Sequence, residues 1–360
     1  MYAAQDRVMM QDSPANSAPL PTRALGKTGM MITTVGVGAW AIGGPDWLVG
    51  WGDQDDRESI AAIRHAVARG INWIDTAAIY GLGHSEEVVG RALADIPAVD
   101  RPYVFTKCGQ TWDPADRNTK FRVGRPDSIK AECEASLRRL GVETIDLFQM
   151  HWPAEDGTPL EVYWQALLDL KAEGKVRAIG LSNHDGGQLA RAEEMGHVDT
   201  LQPGLSALNR KAAEHELPWC RRHETGVICY SPMQSGLLTG RFSLSKPVTL
   251  PDNDWRSRHP DFTGDRLARN LEVVEAMRPI ADRYDTSIAA VAIAWVLACP
   301  GVTGAIVGAR NPGQVDGWIA GASLQLDRDD LQGIGDAILR SGAGEGPAFP
   351  AFANGAAIDA

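Results

Sequence analysis

The sequence predicts an α/β chain closed into a (β/α)8 TIM barrel, a single domain with mouth loops and extra C-terminal helices. Three observations carry that expectation. Short apolar or β-branched runs alternate with helical segments along the body of the chain, the pattern of parallel strands joined by helical crossovers. The runs number eight: 33–37 (TTVGV), 71–75 (INWID), 103–107 (YVFTK), 145–150 (IDLFQM), 176–181 (VRAIGL), 199–202 (DTLQ), 226–230 (GVICY) and 304–307 (GAIV). Lastly, GVGAW at 36–40 and GLG at 81–83 fail to complete the G-x-G-x-x-G turn that an open dinucleotide-binding sheet needs. Eight such units in about 300 residues suit a closed barrel.

The helices between the runs carry apolar stripes three and four residues apart. In DDRESIAAIRHAVARG these are Ile60, Ile63 and Val67, with Gly70 at the C-terminal cap. In PDSIKAECEASLRRLG they are Ile129, Cys133, Leu137 and Leu140, with Asp127 or Ser128 expected as N-cap and Gly141 as stop. PLEVYWQALLDLKAEGK presents Leu160, Trp164, Leu167 and Leu170. All of these are expected in the core, as is Trp73 within the second run.

Residues 1–20 read as a mobile leader with no apolar stretch of signal-peptide or transmembrane length, 21–342 as the barrel, and 343–360 as an irregular Gly/Ala/Pro-rich tail. Phe349 and Phe352 of that tail are candidates to dock on the body. A net charge of −11 argues against nucleic-acid and membrane partners, which call for a broad basic surface. Cys108, Cys133, Cys220, Cys229 and Cys299 are odd in number and lack C-x-x-C spacing, pointing to reduced thiols in the cytoplasm and to no structural metal.

Barrel chemistry gathers at the C-terminal ends of the strands. There the sequence places Asp75, with Tyr80 five residues on, Lys107 at the end of the third run, and His151 after the fourth. A free phenol, with a pKa of about 10, exchanges protons poorly near neutrality. A lysine beside it is expected to lower that value, and a carboxylate beyond the lysine to keep the ammonium charged. His151 is expected to supply a hydrogen bond to the substrate oxygen or to the phenol. Such a group suits protonating a carbonyl oxygen as hydride reaches its carbon, or the reverse. A metal-dependent hydrolase needs more ligands than Asp75 and His151, and His65, His223 and His259 fall on predicted helices or loops.

These motifs resemble the aldo-keto reductase superfamily, from about Leu25 to about residue 340. The family's Asp, Tyr, Lys, His tetrad matches Asp75 and Tyr80 in IDTAAIYG, Lys107 in VFTKCG and His151 in IDLFQMHWP. The resemblance implies an NADP(H)-dependent oxidoreductase interconverting carbonyl and alcohol, acting on a small aldehyde, ketone or sugar. Through GLSNHD it implies that Ser182 and Asn183, with Gln202, bond the nicotinamide carboxamide. Through CYSPMQSGLLTGRF it implies that Tyr230 stacks on the ring, that Ser231, Met233, Ser235, Gly236 and Leu237 form the pyrophosphate loop, and that Arg241 adds charge. IVGARNPGQV implies an adenosine-phosphate loop with Gly308, Arg310 and Gln314, where free N–H groups and the fork of Arg310 suit a 2′-phosphate. Trp318 stands where many relatives have an asparagine, and either stacks on adenine or packs inward. His151 also separates this chain from relatives with glutamate there and from potassium-channel beta subunits with asparagine, the alternative being a redox-sensing subunit of that kind. Among Trp40, Trp47, Trp51, Trp152 and Trp255, all in or near mouth loops, Trp40 and Trp152 are the expected pocket walls. The insert GRFSLSKPVTLPDNDWRSRHPDF is expected to fold over the site, with Trp255 or Phe262 as cover.

Overall fold

A computed structural model describes residues 18–45, 47–244 and 248–350. Eight parallel strands close into a barrel in chain order: β1 (Val35–Gly38), β2 (Trp73–Asp75), β3 (Tyr103–Cys108), β4 (Ile145–Met150), β5 (Val176–Ser182), β6 (Thr200–Gln202), β7 (Gly226–Cys229) and β8 (Gly304–Gly308), with β8 beside β1. Each expected run supplies one strand. The first starts two residues later than its TTVGV run, because Thr33 pairs with Thr22 in a hairpin of Thr22–Ala24 and Met31–Thr33.

That hairpin, which local patterning does not announce, packs against the barrel interior. Leu25, Met30 and Ile32 join Trp73, Phe105, Leu147, Ala178, Ile228 and Ile306 in one buried cluster. Trp73 is its centre, and its indole N–H donates to the Thr33 carbonyl at 2.8 Å. Gly36 makes the room, since a Cβ there would lie 2.2 Å from the Trp73 ring. The interior is therefore a packed core, which leaves the mouth as the place for a ligand-sized cavity among the described residues.

The helices are α1 (Asp56–Ala68), α2 (His84–Ala94), α3 (Pro126–Leu140), α4 (Leu160–Ala172), α5 (Gly186–Glu193), α6 (Glu216–His223), α7 (Gly264–Arg283), α8 (Ile288–Ala298), α9 (Pro312–Trp318) and α10 (Arg328–Ser341). Ile63, Ile129, Cys133, Leu140 and the Leu160, Trp164, Leu167, Leu170 stripe are buried against the strands. The N-cap of α3 differs from expectation. It is Arg125, with neither Asp127 nor Ser128 capping, because Pro126 takes the first helical position, where its missing N–H costs nothing. In α8 every residue from Ile288 to Leu297 is buried, as befits a helix apolar all round and wedged inside a protein. No helix among the described residues is long and apolar enough to cross a membrane.

The described residues after α10, 342–350, form neither helix nor strand and are held by Arg210. Its guanidinium donates to the carbonyls of Pro347 (2.9 Å), Gly346 (3.0 Å), Ala343 (3.3 Å) and Ala207. The Phe349 ring lies over Gly335, where a Cβ would meet it at 1.9 Å. Phe352 and residues 1–17 of the expected leader lie outside the described residues.

Candidate active site

Asp75 closes β2, and the five residues after it fold back over the mouth. Gly81, at φ +60°, makes this turn possible. It lies so close to Gly43 that a Cβ would sit 1.9 Å from the Gly43 carbonyl oxygen. Ser85 then ties the loop to the end of β1, donating to the Ala39 carbonyl at 2.8 Å and bonding the Thr76 hydroxyl at 2.8 Å. Tyr80 is left half-buried, facing the ends of β3 and β4.

The four expected residues come together there. The Lys107 ammonium donates to Asp75 Oδ1 at 2.5 Å and to the Thr76 carbonyl at 2.9 Å, and lies 5.2 Å from the Tyr80 ring centroid. The His151 ring meets the Tyr80 ring edge-on at 5.7 Å. Burial pushes the Asp75 carboxyl up and the Lys107 ammonium down, each opposed by the other's charge. Burial, and next the positive charge of Lys107, Lys120 and Arg122, hold His151 well below the usual histidine range, so it is neutral at pH 7.

Tyr80 departs from the expectation that lysine depresses it. Burial, then the Asp75 carboxylate, raise the phenol well above its ordinary value. The reason is that Lys107 spends its charge on Asp75 and faces the ring of Tyr80, with no hydrogen bond to its hydroxyl. The phenol is thus fully protonated at neutral pH.

Beside the tetrad, a cavity of about 470 Å³ opens along the ends of β7, β8 and β1. Of the expected cofactor residues, Tyr230, Ser231, Met233, Ser235, Gly236 and Arg241 line one wall, and Gly308, Arg310 and Gln314 the far end. Four backbone positions from Ser231 to Gly236 have positive φ, which curls this loop round the cavity. Gln234 pins the curl by accepting from the Ser206 hydroxyl at 2.8 Å and donating to Asp261 at 3.0 Å. Leu237 is fully buried in the core, because the curl turns its side chain inward.

Ser182, Asn183 and Gln202 stand together behind the cavity and bond one another and the tetrad. Gln202 donates to Asp75 Oδ2 at 2.8 Å, and the Ser182 hydroxyl to the Gln202 carbonyl at 2.9 Å. Asn183 donates to the His151 carbonyl at 3.0 Å and accepts from the Tyr230 hydroxyl at 2.8 Å. His184, not among the residues expected at the site although it ends the SNH run, fixes this group. Its Nδ1–H donates to the Ser182 carbonyl and its Nε2 accepts from the Tyr163 hydroxyl, both at 2.8 Å.

At the far end the loop after β8 is already internally satisfied. Gln314 Oε1 accepts from the Arg310 N–H at 2.9 Å, Asn311 Oδ1 accepts from the Gln314 N–H at 3.0 Å, and Pro312 has no N–H. The free amides expected for an anion are therefore fewer than the sequence implied, and the guanidiniums carry the positive charge. Arg310 donates to Gln54 Oε1 at 2.6 Å, to the Trp51 carbonyl at 3.3 Å and to the Asp53 carbonyl. Arg256, unforeseen within the long insert, also lines the cavity, clasps Asp254, donates to the Ser235 carbonyl at 3.1 Å and lies 4.5 Å from the Trp51 ring. Only the basic spacing of WRSR hinted at it. Trp318 is buried yet forms part of the cavity wall, and its indole N–H has no partner among the described residues.

Trp40 and Trp51 line the cavity, and Trp255 stacks on Trp40 at 5.5 Å as a cover. Phe262 instead packs on Phe242, 5.2 Å away. Trp152 does not line this cavity. Its ring lies 4.4 Å from the Arg122 guanidinium, a cation–π contact with the hairpin after β3.

Comparison with known proteins fits this geometry. The model of the Aldo/keto reductase family matches residues 34–338. The chain is 34% identical over 311 residues to the aldo-keto reductase YhdN of Bacillus subtilis, covering 84% of this chain and 91% of that protein. It is 34% identical over 317 residues to the NADH-specific methylglyoxal reductase of Escherichia coli, covering 85% and 94%. Among solved structures, the glycerol dehydrogenase of Gluconobacter oxydans superposes with a TM-score of 0.79 at 38% identity, covering 87% of this chain and 93% of that one. The chain belongs to the aldo/keto reductase family of oxidoreductases.

Proposed function

We propose that the protein is an NADPH-dependent reductase that interconverts aldehydes or ketones with alcohols, Tyr80 acting as general acid and, in reverse, as base. The observation that carries this reading is the meeting of Tyr80, Lys107, Asp75 and His151 at the strand ends beside a cavity of about 470 Å³. The cavity suits a nicotinamide dinucleotide: Tyr230 offers a ring face, Trp318 an unpartnered indole N–H, and Arg241, Arg256 and Arg310 offer positive charge. When bound, the reduced nicotinamide supplies the hydride.

The chain's own residues supply the rest. Tyr80, loaded with its proton at neutral pH, delivers it to the carbonyl oxygen. Lys107, 5.2 Å from the ring centroid, stabilises the phenolate left behind, and Asp75 and Gln202 hold the ammonium in place through the carboxylate. Neutral His151 donates a hydrogen bond that orients the oxygen. The names of the relatives suggest small, oxygen-rich substrates such as methylglyoxal or glycerol. The proposed preference for NADPH over NADH rests on the Arg310 guanidinium in the cavity wall, while one relative is named as NADH-specific. All five cysteines are unpaired, in keeping with a cytoplasmic enzyme.

Steady-state assays with NADPH and 4-nitrobenzaldehyde or methylglyoxal test the reading. Tyr80→Phe should lower kcat about 10²- to 10⁴-fold, the usual worth of a general acid. NADPH binding, followed by calorimetry, should change less than twofold. Turnover that survives the substitution rejects Tyr80 as the acid.

A further inference from the structure

Resting on that reductase reading, we propose that a hairpin beside the tetrad builds an anion subsite, with Lys120 as the specificity-determining residue, so that the favoured substrates are carbonyl compounds bearing a carboxylate or phosphate.

The hairpin joins Gln110–Asp113 to Asp116–Arg122, pairing Gln110 with Arg122, Thr111 with Phe121, and Asp113 with Asp116. Side chains alternate across a strand, so Lys120 and Arg122 share one face and Phe121 takes the other. Packing shows which face meets the site. Gln110 is buried, and Trp112 packs into the cluster of Trp47, Ala77 and Ile79 that Trp40 and Tyr80 also join. Arg122, paired with the buried Gln110, lies over Trp152, the residue after His151, and Lys120 shares that face with its side chain exposed at the hairpin surface. The hairpin's base is fixed beside the loop after β4, since the Val123 N–H donates to the Gly109 carbonyl at 3.1 Å and the Glu155 N–H to the Arg122 carbonyl at 2.9 Å.

Charge balance then singles out one group. Lys107 is neutralised by Asp75, and Arg122 by its ion pair with Glu155. Lys120 has no hydrogen-bond or ion-pair partner among the described residues, and the acid whose charge acts on it, Glu155, is the one Arg122 holds. Its field and that of Arg122 reach the His151 ring. An uncompensated cation so placed, on a chain of net charge −11, attracts an anionic group of a substrate whose carbonyl lies between Tyr80 and His151.

Matched substrates test this: succinic semialdehyde against butanal for a carboxylate, and glyceraldehyde 3-phosphate against glyceraldehyde for a phosphate, all with NADPH. Native protein should favour the charged member of at least one pair by about tenfold in kcat/KM, the worth of a charge-assisted contact, and the arm showing it identifies the anion. Lys120→Met should remove that advantage and leave the neutral member within twofold, and Lys120→Glu should reverse it. Equal treatment of both members by the native protein, or a Lys120→Met loss shared by charged and neutral substrates alike, overturns the subsite while the reductase reading stands. Failure to reduce any of the four compounds, or 4-nitrobenzaldehyde, removes the reductase reading itself.

Discussion

The two halves of the barrel mouth satisfy their polar groups in different ways. On the side running from β2 to β6, Asp75, Lys107 and Gln202 are buried and bonded side chain to side chain across strands. On the β7–β8 side, Arg256 and Arg310 are half-buried and donate largely to loop carbonyls and to the carboxylate and amide of neighbouring loops. The first arrangement is fixed by the barrel itself. The second is held by loop carbonyls, by Gln54 and by the Asp254 carboxylate, and on the proposed reading a cofactor phosphate takes the place of some of these partners. A chemical step needs fixed geometry, and a cofactor that enters and leaves needs exchangeable partners.

The largest expected effect tests the fixed half. Lys107→Met leaves Asp75 buried with Gln202 as its remaining side-chain donor, and breaking a buried pair in this way should cost about 3–5 kcal/mol in urea denaturation as well as activity. The double variant Asp75→Asn/Lys107→Met should recover most of the stability and none of the turnover. Recovery of turnover, or a single variant as stable as the native protein, would show that Asp75 and Lys107 do not act as one structural and chemical unit.

A smaller effect comes from the buried histidines. Burial holds His184 at about 4 and His151 well below its ordinary value. Each remains neutral when folded but takes a proton in the unfolded chain below about pH 6.5, so the unfolded state binds more protons. The sign follows: their stabilising contribution is complete above pH 6.5 and is lost as pH falls towards 4, by up to roughly 3 kcal/mol for His184. Tm measured from pH 7.5 to 4 should fall over this window, and His184→Gln should flatten part of the slope. An unchanged slope in that variant would mean that His184 is not the group being titrated.

The sequence revealed the fixed half more fully than the exchangeable one, for a physical reason. Strand runs and helix stripes are local patterns, and a residue at the end of a strand has little freedom in where it points; Asp75, Lys107 and His151 follow directly from INWID, YVFTK and IDLFQM. The Thr22–Thr33 hairpin, the inward turn of Leu237 and the contact of Trp152 with Arg122 all depend on partners distant in sequence or in a loop's curl. Gln202 belongs to both cases. Its place at the end of β6 is readable, but its bond to Asp75 spans 127 residues and is set by barrel closure.

The smallest effect tests the exchangeable half. Arg310 holds the loop of Trp51, Asp53 and Gln54 through three acceptors, so its removal has two possible consequences: loss of a contact to the cofactor, or loosening of that loop. The cofactor pair separates them. If the guanidinium exchanges its carbonyl partners for a 2′-phosphate, Arg310→Met should raise KM for NADPH about tenfold and leave KM for NADH within twofold, because only NADPH carries that group. If the residue serves the loop alone, both KM values should rise together and Gln54→Ala should do the same. Equal losses for the two cofactors would remove the basis for NADPH preference, and with it the idea that Arg310 forms an exchangeable phosphate contact, while leaving the buried tetrad across the barrel untouched.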